Sequence, residues 1–283
     1  MTVFLITGAS SGLGRQLSLD ALRQGHKVFG TTRSSEKARE SSPEFEKLGG
    51  VWCELNVSSA SCENVIRDIA EKENVDVLVN SAGYALLGPV EQISDIEAHA
   101  QMETNFHGTL RAIRGVLPTF RSRQSGIIVN ITSGAGFIGL ASRGLYAGSK
   151  FAVEGLSEAL ANEVAPFNIR IIIAEPGTFR TNFMDTLVFP GAGLGPYVGT
   201  PTAKMVEVTE DMKRHKHGDV AKAAEVLLSV ILGTGLAASE DIKKCLRIPM
   251  GQDCWPLAKK EAESWLKELT TIETISMSIG KEV

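Results

Sequence analysis

The stretch Val3-Phe-Leu-Ile-Thr-Gly-Ala-Ser-Ser-Gly-Leu-Gly-Arg-Gln-Leu17 decides the fold. Its first five residues, VFLIT, are a short and almost continuously apolar run, which predicts a strand covered on both faces. A helical pattern follows, because apolar residues recur at four-residue intervals at Leu13, Leu17 and Ala21. The turn between strand and helix holds Gly8, Gly12 and Gly14. Glycines admit a phosphate close to the backbone and the first N–H groups of a helix attract its charge, so the stretch predicts a phosphate cradle.

Two other interpretations of the glycines are weaker. A glycine cluster can be only a tight structural turn, but its position between a buried strand and an amphipathic helix favours the cradle. A nucleoside-triphosphatase P-loop requires Gly-Lys-Ser/Thr at its end, and no lysine follows Gly14.

The rest of the chain repeats the alternation of strand and helix. Strand-like runs occupy residues 3–7, 27–32, 51–55, 75–80, 126–132 and 169–176, with a shorter run at 246–249. Helical patterns fill the intervals and return at 218–232 and 256–270. This order predicts an α/β protein with a Rossmann-type, doubly wound parallel sheet in three layers. We expect one domain over residues 1–250, with an irregular lid at about 178–217 and a helical extension of the same domain at 251–283.

Composition narrows the class of protein. The 283 residues are 43% hydrophobic and 22% charged, with a net charge of −4 and no basic stripe, so no nucleic-acid partner is expected. Four cysteines, Cys53, Cys62, Cys245 and Cys254, lack the spacing of metal ligands, and no metal site is predicted. We find no signal peptide and no apolar stretch approaching about 18 residues, so no integral membrane segment and a cytoplasmic location are expected.

Several motifs carry a family resemblance. In order and spacing they are Gly8-x3-Gly12-x-Gly14, Asn80-Ser-Ala-Gly83, Asn105, Ser133, Tyr146-x3-Lys150 and Pro176-Gly177. Over residues 2–182 the sequence resembles the short-chain dehydrogenase/reductase family, and is most similar to fungal and bacterial members with retinol-dehydrogenase-like or hydroxysteroid-dehydrogenase-like sequences. The resemblance implies an oxidoreductase that transfers hydride to or from a nicotinamide cofactor.

Tyr146 and Lys150 also predict chemistry by themselves. A spacing of four places both on one helix face. An ammonium about 4 Å from the phenol, at an effective dielectric of about 20, would favour the phenolate by roughly 4 kcal/mol, or about three pKa units. Tyr146 is then expected to titrate near neutrality and to act as general acid and base, while Ser133 stabilises the charge developing on the substrate oxygen. The resemblance adds that Asn105 anchors a water, although an amide inside a helix can simply bond to the backbone.

The end of the second strand indicates which dinucleotide binds. A carboxylate there would bond the ribose hydroxyls, whereas an arginine accepts a 2′-phosphate. Arg33 follows Thr32 with no acid before Glu36, so NADP(H) is preferred and NAD(H) remains possible. A solvated surface arginine is the alternative.

The resemblance extends the cofactor site to further residues. They are Gly8, Ser10, Ser11, Gly12, Leu13, Gly14, Arg33, Asn56, Val57, Asn80, Ala82, Gly83, Ile131, Tyr146, Lys150, Pro176, Gly177, Thr178 and Thr181. Asn56 stands where many members have Asp, which implies altered adenine contact.

The substrate and the assembly state are less constrained. We expect a small apolar ketone, aldehyde or alcohol, because the lid is apolar at Phe179, Phe183, Met184, Leu187, Val188, Phe189 and Leu194. These residues can instead pack onto the core or a subunit interface.

Helices at 99–119 and 146–165 predict a homodimer or homotetramer, unless their apolar faces are intramolecular. A nucleotide-sensing regulatory or scaffolding protein and an epimerase or dehydratase stay open as alternative functions. The basic cluster with His215 and His217 is interpreted as a solvated face.

Overall fold

Seven parallel strands form the centre of the protein. The computed structural model describes residues 1–179, 181, 183, 186–211 and 218–280. The strands are β1 (Val3–Thr7), β2 (Lys27–Thr32), β3 (Val51–Glu54), β4 (Val77–Asn80), β5 (Gly126–Ile131), β6 (Ile169–Pro176) and β7 (Arg247–Met250). They lie in the order β3-β2-β1-β4-β5-β6-β7. The predicted doubly wound sheet is confirmed, and each predicted strand is present within two residues of its expected bounds.

Helices cover both faces of this sheet. They are α1 (Gly12–Arg23), α2 (Ser35–Ser41), α3 (Pro43–Lys47), α4 (Cys62–Glu73), α5 (Asp95–Met102), α6 (Gly108–Arg123), α7 (Gly144–Val164), α8 (Pro201–Asp211), α9 (Val220–Leu232), α10 (Glu240–Lys244) and α11 (Cys254–Met277). Successive side chains of β1 point to opposite faces of the sheet and therefore belong to two separate hydrophobic cores. Phe4 and Ile6 pack with α1 and α9, whereas Leu5 packs with α4, α6 and α7 on the opposite face. This is the predicted three-layer arrangement.

The strand order creates a crevice at the carboxyl edge of the sheet. The chain leaves β1 toward β2 and β3, then returns to β4 on the other side of β1. Thr7, the last residue of β1, pairs in register with Asn80, the last residue of β4. Ligands bind at such a reversal of strand order because the connections on either side diverge there. The glycine-rich turn lies directly after Thr7.

The lid is more regular than predicted. Residues 178–217 were expected to be irregular, but they contain α8, whose buried residues include Ala203 and Val206. Val188 also forms a parallel bridge with Leu86, and Phe179 forms one with Gly218. The prediction failed because the apolar positions of α8 are few and interrupted, so its periodicity is weak.

Within the described part of the chain, one apolar window meets the length and composition of a membrane span, contrary to the sequence-based expectation. It is Val220–Ala237, made of α9 and the turn that follows, and 39% of it is buried. Ala224, Leu227 and Leu228 of this helix belong to the core that α1 also covers. The window therefore serves as a core helix in this fold.

The last helix is longer than the predicted 256–270. It begins at Cys254, which is buried, and continues to Met277. From residue 262 to residue 280 every side chain is exposed. The proposed division at residue 250 falls between β7 and this helix.

Candidate active site

The glycine-rich turn has the shape of an anion cradle. Gly8 and Gly12 have φ angles of +66° and +58°, which favour glycine. A Cβ atom on Gly8 would lie 2.8 Å from the Cα of Ala82, and one on Gly14 would lie 2.8 Å from the Gly8 carbonyl oxygen. At the start of α1, the Ser11 side chain makes no capping hydrogen bond, and the first turn holds no acid. The helix N-terminus is thus left to attract a negative charge, which fits a dinucleotide phosphate.

The neighbouring loop is fastened to this turn. The hydroxyl of Thr7 accepts hydrogen bonds from the backbone N–H groups of Ser81 (3.1 Å) and Ala82 (3.3 Å). The side chain of Thr181 lies near Gly12, 3.6 Å from where a Cβ would stand. Leu13 packs against the core, while Ser10 is half-buried. The turn, the loop after β4 and the lid therefore meet at one place.

Arg33 stands at the tip of β2 and is exposed. Within the part of the chain that the structure describes, its guanidinium makes no ion pair or hydrogen bond. On the same side, Asn56 is exposed and its side-chain oxygen accepts the Ser58 N–H at 3.1 Å. Val57 is buried and packs against Gly108. Arg33 is consequently available to a phosphate.

The side chain of Asn80 forms a buried hydrogen bond between neighbouring strands. It is buried and donates a 2.8 Å hydrogen bond to the side-chain oxygen of Asn130, which in turn donates to Ser157 at 2.8 Å. The side-chain oxygen of Asn80 has no hydrogen-bond partner among the described residues. A buried acceptor without a partner is costly, so this oxygen can accept a bond from a bound group.

Tyr146 and Lys150 extend from α7 toward the ends of β4 and β5. Both side chains are buried. The ammonium of Lys150 donates a 2.9 Å hydrogen bond to the carbonyl of Ile131, the last residue of β5. It lies 5.8 Å from the centroid of the Tyr146 ring. Ser133, two residues beyond Ile131, accepts the Ala135 N–H at 3.2 Å and also lies close enough to the phenol to act on its pKa.

The predicted near-neutral pKa of Tyr146 is wrong for this arrangement. Burial raises the pKa of the phenol above its usual value of 10, while a hydrogen bond with Ser133 and the charge of Arg143 oppose that rise. Lys150 is held at the Ile131 carbonyl rather than at the phenol oxygen, and burial lowers the pKa of its ammonium to about 8. The prediction counted the attraction between charges and omitted desolvation, which dominates for a buried phenol.

Asn105 holds the opposite wall of the site. It is buried within a π-helical turn, Glu103–His107, between α5 and α6. Its amide bonds the backbone of Tyr84 twice, accepting from the N–H at 3.1 Å and donating to the carbonyl at 3.0 Å. The same amide nitrogen donates to Ser149 on α7 at 3.0 Å. Asn105 thus connects the loop after β4 to the helix that bears Tyr146 and Lys150.

A pair of buried carboxyl groups lies behind Lys150. Glu154 is one turn further along α7 and accepts hydrogen bonds from Thr132 (2.7 Å) and Arg247 (3.0 Å). Glu175, at the end of β6, lies 3.8 Å from the Arg247 guanidinium. Burial, with the nearby charge of Glu154, raises the pKa of Glu175 to about 8. One carboxyl of the pair is therefore protonated at neutral pH.

Apolar side chains cover Tyr146. A cluster of Ala85, Leu87, Ala135, Tyr146 and Ala147 is joined by three residues of the lid, Phe183, Leu187 and Phe189. The rings of Tyr146 and Phe183 have centroids 6.1 Å apart. Met184 and the basic cluster with His215 and His217 lie outside the described residues.

The lid begins against the C-terminal segment. The Gly177 N–H donates to the Met250 carbonyl at 2.8 Å, and the Thr178 N–H donates to the Asp253 carboxylate at 2.7 Å. Pro176, at the end of β6, pairs in register with Met250 at the end of β7. These bonds bring the Pro-Gly-Thr segment to the carboxyl edge beside β5.

The sequence profile of the family described as short chain dehydrogenase matches residues 2–188. The chain belongs to that family.

Relatives of this short-chain dehydrogenase are oxidoreductases. It is 46% identical to the oxidoreductase claN of Passalora fulva over 64% of this chain and 83% of that one. It is 40% identical to the 3-ketodihydrosphingosine reductase of Bacteroides thetaiotaomicron over 65% of this chain and 66% of that enzyme.

Solved structures share the fold. A short-chain dehydrogenase from Streptomyces avermitilis, 33% identical, superposes with a TM-score of 0.86 over 99% of this chain and 98% of its own. An F189W actinorhodin polyketide ketoreductase with NADPH is 27% identical, with a TM-score of 0.69 over 84% of this chain and 92% of that chain. A serine dehydrogenase complexed with NADP+ is 26% identical, with a TM-score of 0.69 over 87% and 92%.

The structure gathers most predicted residues of this short-chain dehydrogenase at one edge of its sheet. Sequence reasoning missed the residues that support them: Ser149, Glu154, Glu175, Arg247 and Gln101. The buried amide of Gln101 accepts the Leu86 N–H at 2.7 Å and donates to the Tyr84 carbonyl at 3.0 Å. One signal was available, since Glu175 places a carboxyl group directly after the apolar residues 171–174 of a buried strand. Its partners Glu154 and Arg247 are far away in the chain and carried no comparable signal.

Proposed function

We propose that this short-chain dehydrogenase is an NADP(H)-dependent carbonyl reductase, or secondary-alcohol dehydrogenase, with Tyr146 as its general acid and base. The observation that carries the proposal is the group formed by buried Tyr146, buried Lys150 and half-buried Ser133 under an apolar cover, at the carboxyl edge beside the glycine-rich turn. Nothing in a merely structural helix would place a phenol, a hydroxyl and an ammonium together in an apolar setting, where each is costly to desolvate.

NADP(H) is the proposed cofactor. Its phosphates would be held by the turn from Gly8 to Gly14, with Ser10, Ser11 and Leu13 in that turn, and its 2′-phosphate by Arg33. Support comes from the φ angles of the glycines, the uncapped helix start and the exposed Arg33. The polyketide ketoreductase with NADPH and the serine dehydrogenase with NADP+ favour the same cofactor. When bound, this cofactor supplies or accepts the hydride.

The remaining cofactor contacts are proposed from position in the fold. Asn56 and Val57 would meet the adenine, and Asn80, Ala82 and Gly83 would line the crevice at the reversal of strand order. Ile131, Lys150, Pro176, Gly177, Thr178 and Thr181 would meet the nicotinamide end.

Tyr146 would act mainly as a proton donor. A phenol whose pKa is raised by burial stays protonated at neutral pH, and is then ready to give its proton to a ketone oxygen that is gaining negative charge. Ser133 would hold the same oxygen by a hydrogen bond. Lys150 would resupply the proton, since its own pKa of about 8 keeps the ammonium mostly charged at pH 7. Asn105 would keep the lysine side of the site in place. This arrangement favours reduction of a carbonyl.

The proposed substrate is a small apolar ketone or aldehyde. Phe183, Leu187 and Phe189 cover the phenol with apolar surface, and such a lining binds apolar groups while the polar side chains orient the carbonyl. A relative named for reduction of a 3-keto group, 3-ketodihydrosphingosine reductase, is consistent with an apolar ketone.

The test is NADPH oxidation with a panel of apolar ketones by the wild type and by Tyr146→Phe. We expect activity in the wild type and a loss of at least about 1,000-fold in kcat for the variant, with NADPH binding retained. Tyr197→Phe is a matched control, because it removes a hydroxyl that bonds Glu91 on the exposed lid. Full activity of Tyr146→Phe would reject the proton donor.

The same assay distinguishes the two alternative functions by their results. A nucleotide-sensing protein would bind NADPH without turning over any carbonyl. An epimerase or dehydratase would form product without net consumption of cofactor. Only a nucleotide-sensing protein could dispense with Ser133, Tyr146 and Lys150.

A further inference from the structure

The last helix carries an apolar surface that the described residues of the chain leave uncovered. We name α11 and the turn after it, Cys254–Gly280, the C-terminal arm. Its start contacts the body through buried Cys254 and half-buried Leu257, whereas every residue from 262 to 280 is exposed among the described residues. Trp265, Leu266 and Ile275 are 64%, 66% and 70% exposed. A helix with so many exposed apolar side chains is stable in water only when another surface covers them.

The apolar positions of the arm have the spacing of a helix–helix seam. Intervals of three and four residues alternate along eight positions: Trp255, Ala258, Ala262, Trp265, Leu269, Ile272, Ser276 and Ile279. Seven of the eight are apolar. This heptad spacing keeps one stripe facing a partner helix along its length. At 1.5 Å per residue, the 24 residues of α11 present a seam about 36 Å long.

We propose that the arm is a homodimerisation element, in which two copies of this chain pack their arms antiparallel through this seam. Antiparallel packing suits a two-fold dimer, because each body is attached at the N-terminal end of its arm and the two bodies then lie at opposite ends. Full overlap places Trp265 against the partner's Leu269, and Ala262 against the partner's Ile272. Next to the central Trp265–Leu269 pairs, the small side chain of Ala262 thus faces the larger side chain of the partner's Ile272.

Charge supports this register. The positions that flank an antiparallel seam place Lys259 opposite the partner's Glu273, and symmetry forms this pair twice. Within its own chain Lys259 lies over the Trp255 ring and 3.8 Å from Glu263, so it already sits at the edge of the seam. One like-charge approach, between the two copies of Glu268 at the two-fold axis, opposes the two attractive pairs.

A membrane surface is a less suitable occupant. Helices that lie on lipid surfaces carry many basic residues on their polar face. Cys254–Met277 has three basic residues, Lys259, Lys260 and Lys267, against four acidic ones, Glu261, Glu263, Glu268 and Glu273. The polar face would therefore be repelled by anionic lipid.

The helices expected to form a dimer offer less surface. In the ranges 99–119 and 146–165, which the structure describes throughout, Phe151 is the one large hydrophobic side chain that is exposed. Their other apolar residues pack within the chain, as Ile113 and Leu160 do.

The first experiment measures the oligomeric state of the full chain by sedimentation velocity over a concentration series. We expect a wild-type dimer whose dissociation constant rises about 100-fold or more in Leu269→Glu, because a charge enters a buried apolar seam. Leu236→Glu is the control, since Leu236 is 88% exposed and outside the arm. A wild type that stays monomeric would overturn the proposal. So would a dimer that Leu269→Glu leaves intact, or a monomer that binds phosphatidylcholine–phosphatidylserine vesicles.

The second experiment tests the antiparallel register. Lys259→Glu and Glu273→Lys should each weaken the dimer about 3- to 10-fold, and the double variant should regain the wild-type affinity. Lys260→Glu makes the same charge change on the outer face of the arm and should have no effect. A double variant as weak as the singles would contradict antiparallel packing. Circular dichroism of every variant confirms that the arm is still helical.

Discussion

The ammonium of Lys150 donates a 2.9 Å hydrogen bond to the backbone carbonyl of Ile131, at the carboxyl end of β5. This bond links α7, the helix that bears Tyr146, to the end of β5. The chain continues from that end of β5 to Ser133. It also leaves the lysine ammonium 5.8 Å from the centroid of the Tyr146 ring, which favours the proposed role of Lys150 as the group that resupplies the proton. The proposed role makes the pH dependence of the reaction a test.

The rate of ketone reduction should fall as pH rises through about 8. Burial lowers the pKa of Lys150 to about 8, and the charge of Glu154 partly opposes this. Glu154→Gln removes that charge, so the alkaline limb of kcat/KM should move to lower pH. The measurement is a pH profile of NADPH-dependent reduction. Glu158→Gln is the control, because Glu158 lies one turn further from Lys150 on the exposed side of α7. If the alkaline limb of kcat/KM falls at the same pH in both variants, this role for Glu154 is excluded.

Arg33→Ala should distinguish the two dinucleotides. An exposed guanidinium that bonds a 2′-phosphate contributes charge-assisted hydrogen bonds, so its loss should weaken NADPH binding by about 10- to 100-fold and leave NADH binding unchanged. Fluorescence titration of each reduced cofactor measures this. Arg39→Ala, which removes an exposed arginine paired with Glu46, should affect neither. Equal weakening of both cofactors would show that Arg33 does not recognise the phosphate.

Gly8→Ala should destabilise the protein and abolish cofactor binding. Gly8 has a φ of +66°, and a Cβ there would lie 2.8 Å from the Ala82 Cα. We expect a loss of about 2 kcal/mol or more in the free energy of unfolding. Gly155→Ala should instead gain up to about 1 kcal/mol, because Gly155 lies within α7 with no atom within 4 Å of the new Cβ. Urea unfolding measures both, and a neutral Gly8→Ala would remove the argument for a close approach at this turn.

Glu175→Gln should make stability less dependent on pH. The folded-state pKa of Glu175 is raised to about 8, above its usual 4.5, so the folded form binds the extra proton. Its contribution is complete below about pH 4.5 and is lost as pH rises through 8. Glutamine keeps the neutral form at every pH, so the variant should be similar in stability to the wild type near pH 4. Between about pH 4.5 and pH 8 the wild type should fall progressively below the variant, by on the order of 1 kcal/mol per pH unit. Parallel pH dependences of the two urea midpoints would refute a protonated Glu175.

The sequence by itself determined the fold and the edge of the sheet at which the candidate site is proposed. Short apolar strands, helical periodicity and glycines that must lie between β1 and α1 are local requirements, and each can be recognised within about a dozen residues. Parallel strands then bring the residues after their ends to a common edge, so the sequence alone predicts that Gly8, Ser133 and Gly177 lie at the same edge of the sheet. Arg33 was likewise visible, because the tip of β2 follows from the same order.

Only the tertiary structure decided how the site is tuned and which surface is left uncovered. The pKa of Tyr146 depends on desolvation, and the pKa of Glu175 on a glutamate 21 residues earlier in the chain and an arginine 72 residues later. Burial and distances of this kind arise from packing between elements that are remote in sequence, where no periodicity reports them. The exposed arm is the same case, since Trp265 and Leu269 fit a core helix by sequence, and only the fold leaves that helix outside the core.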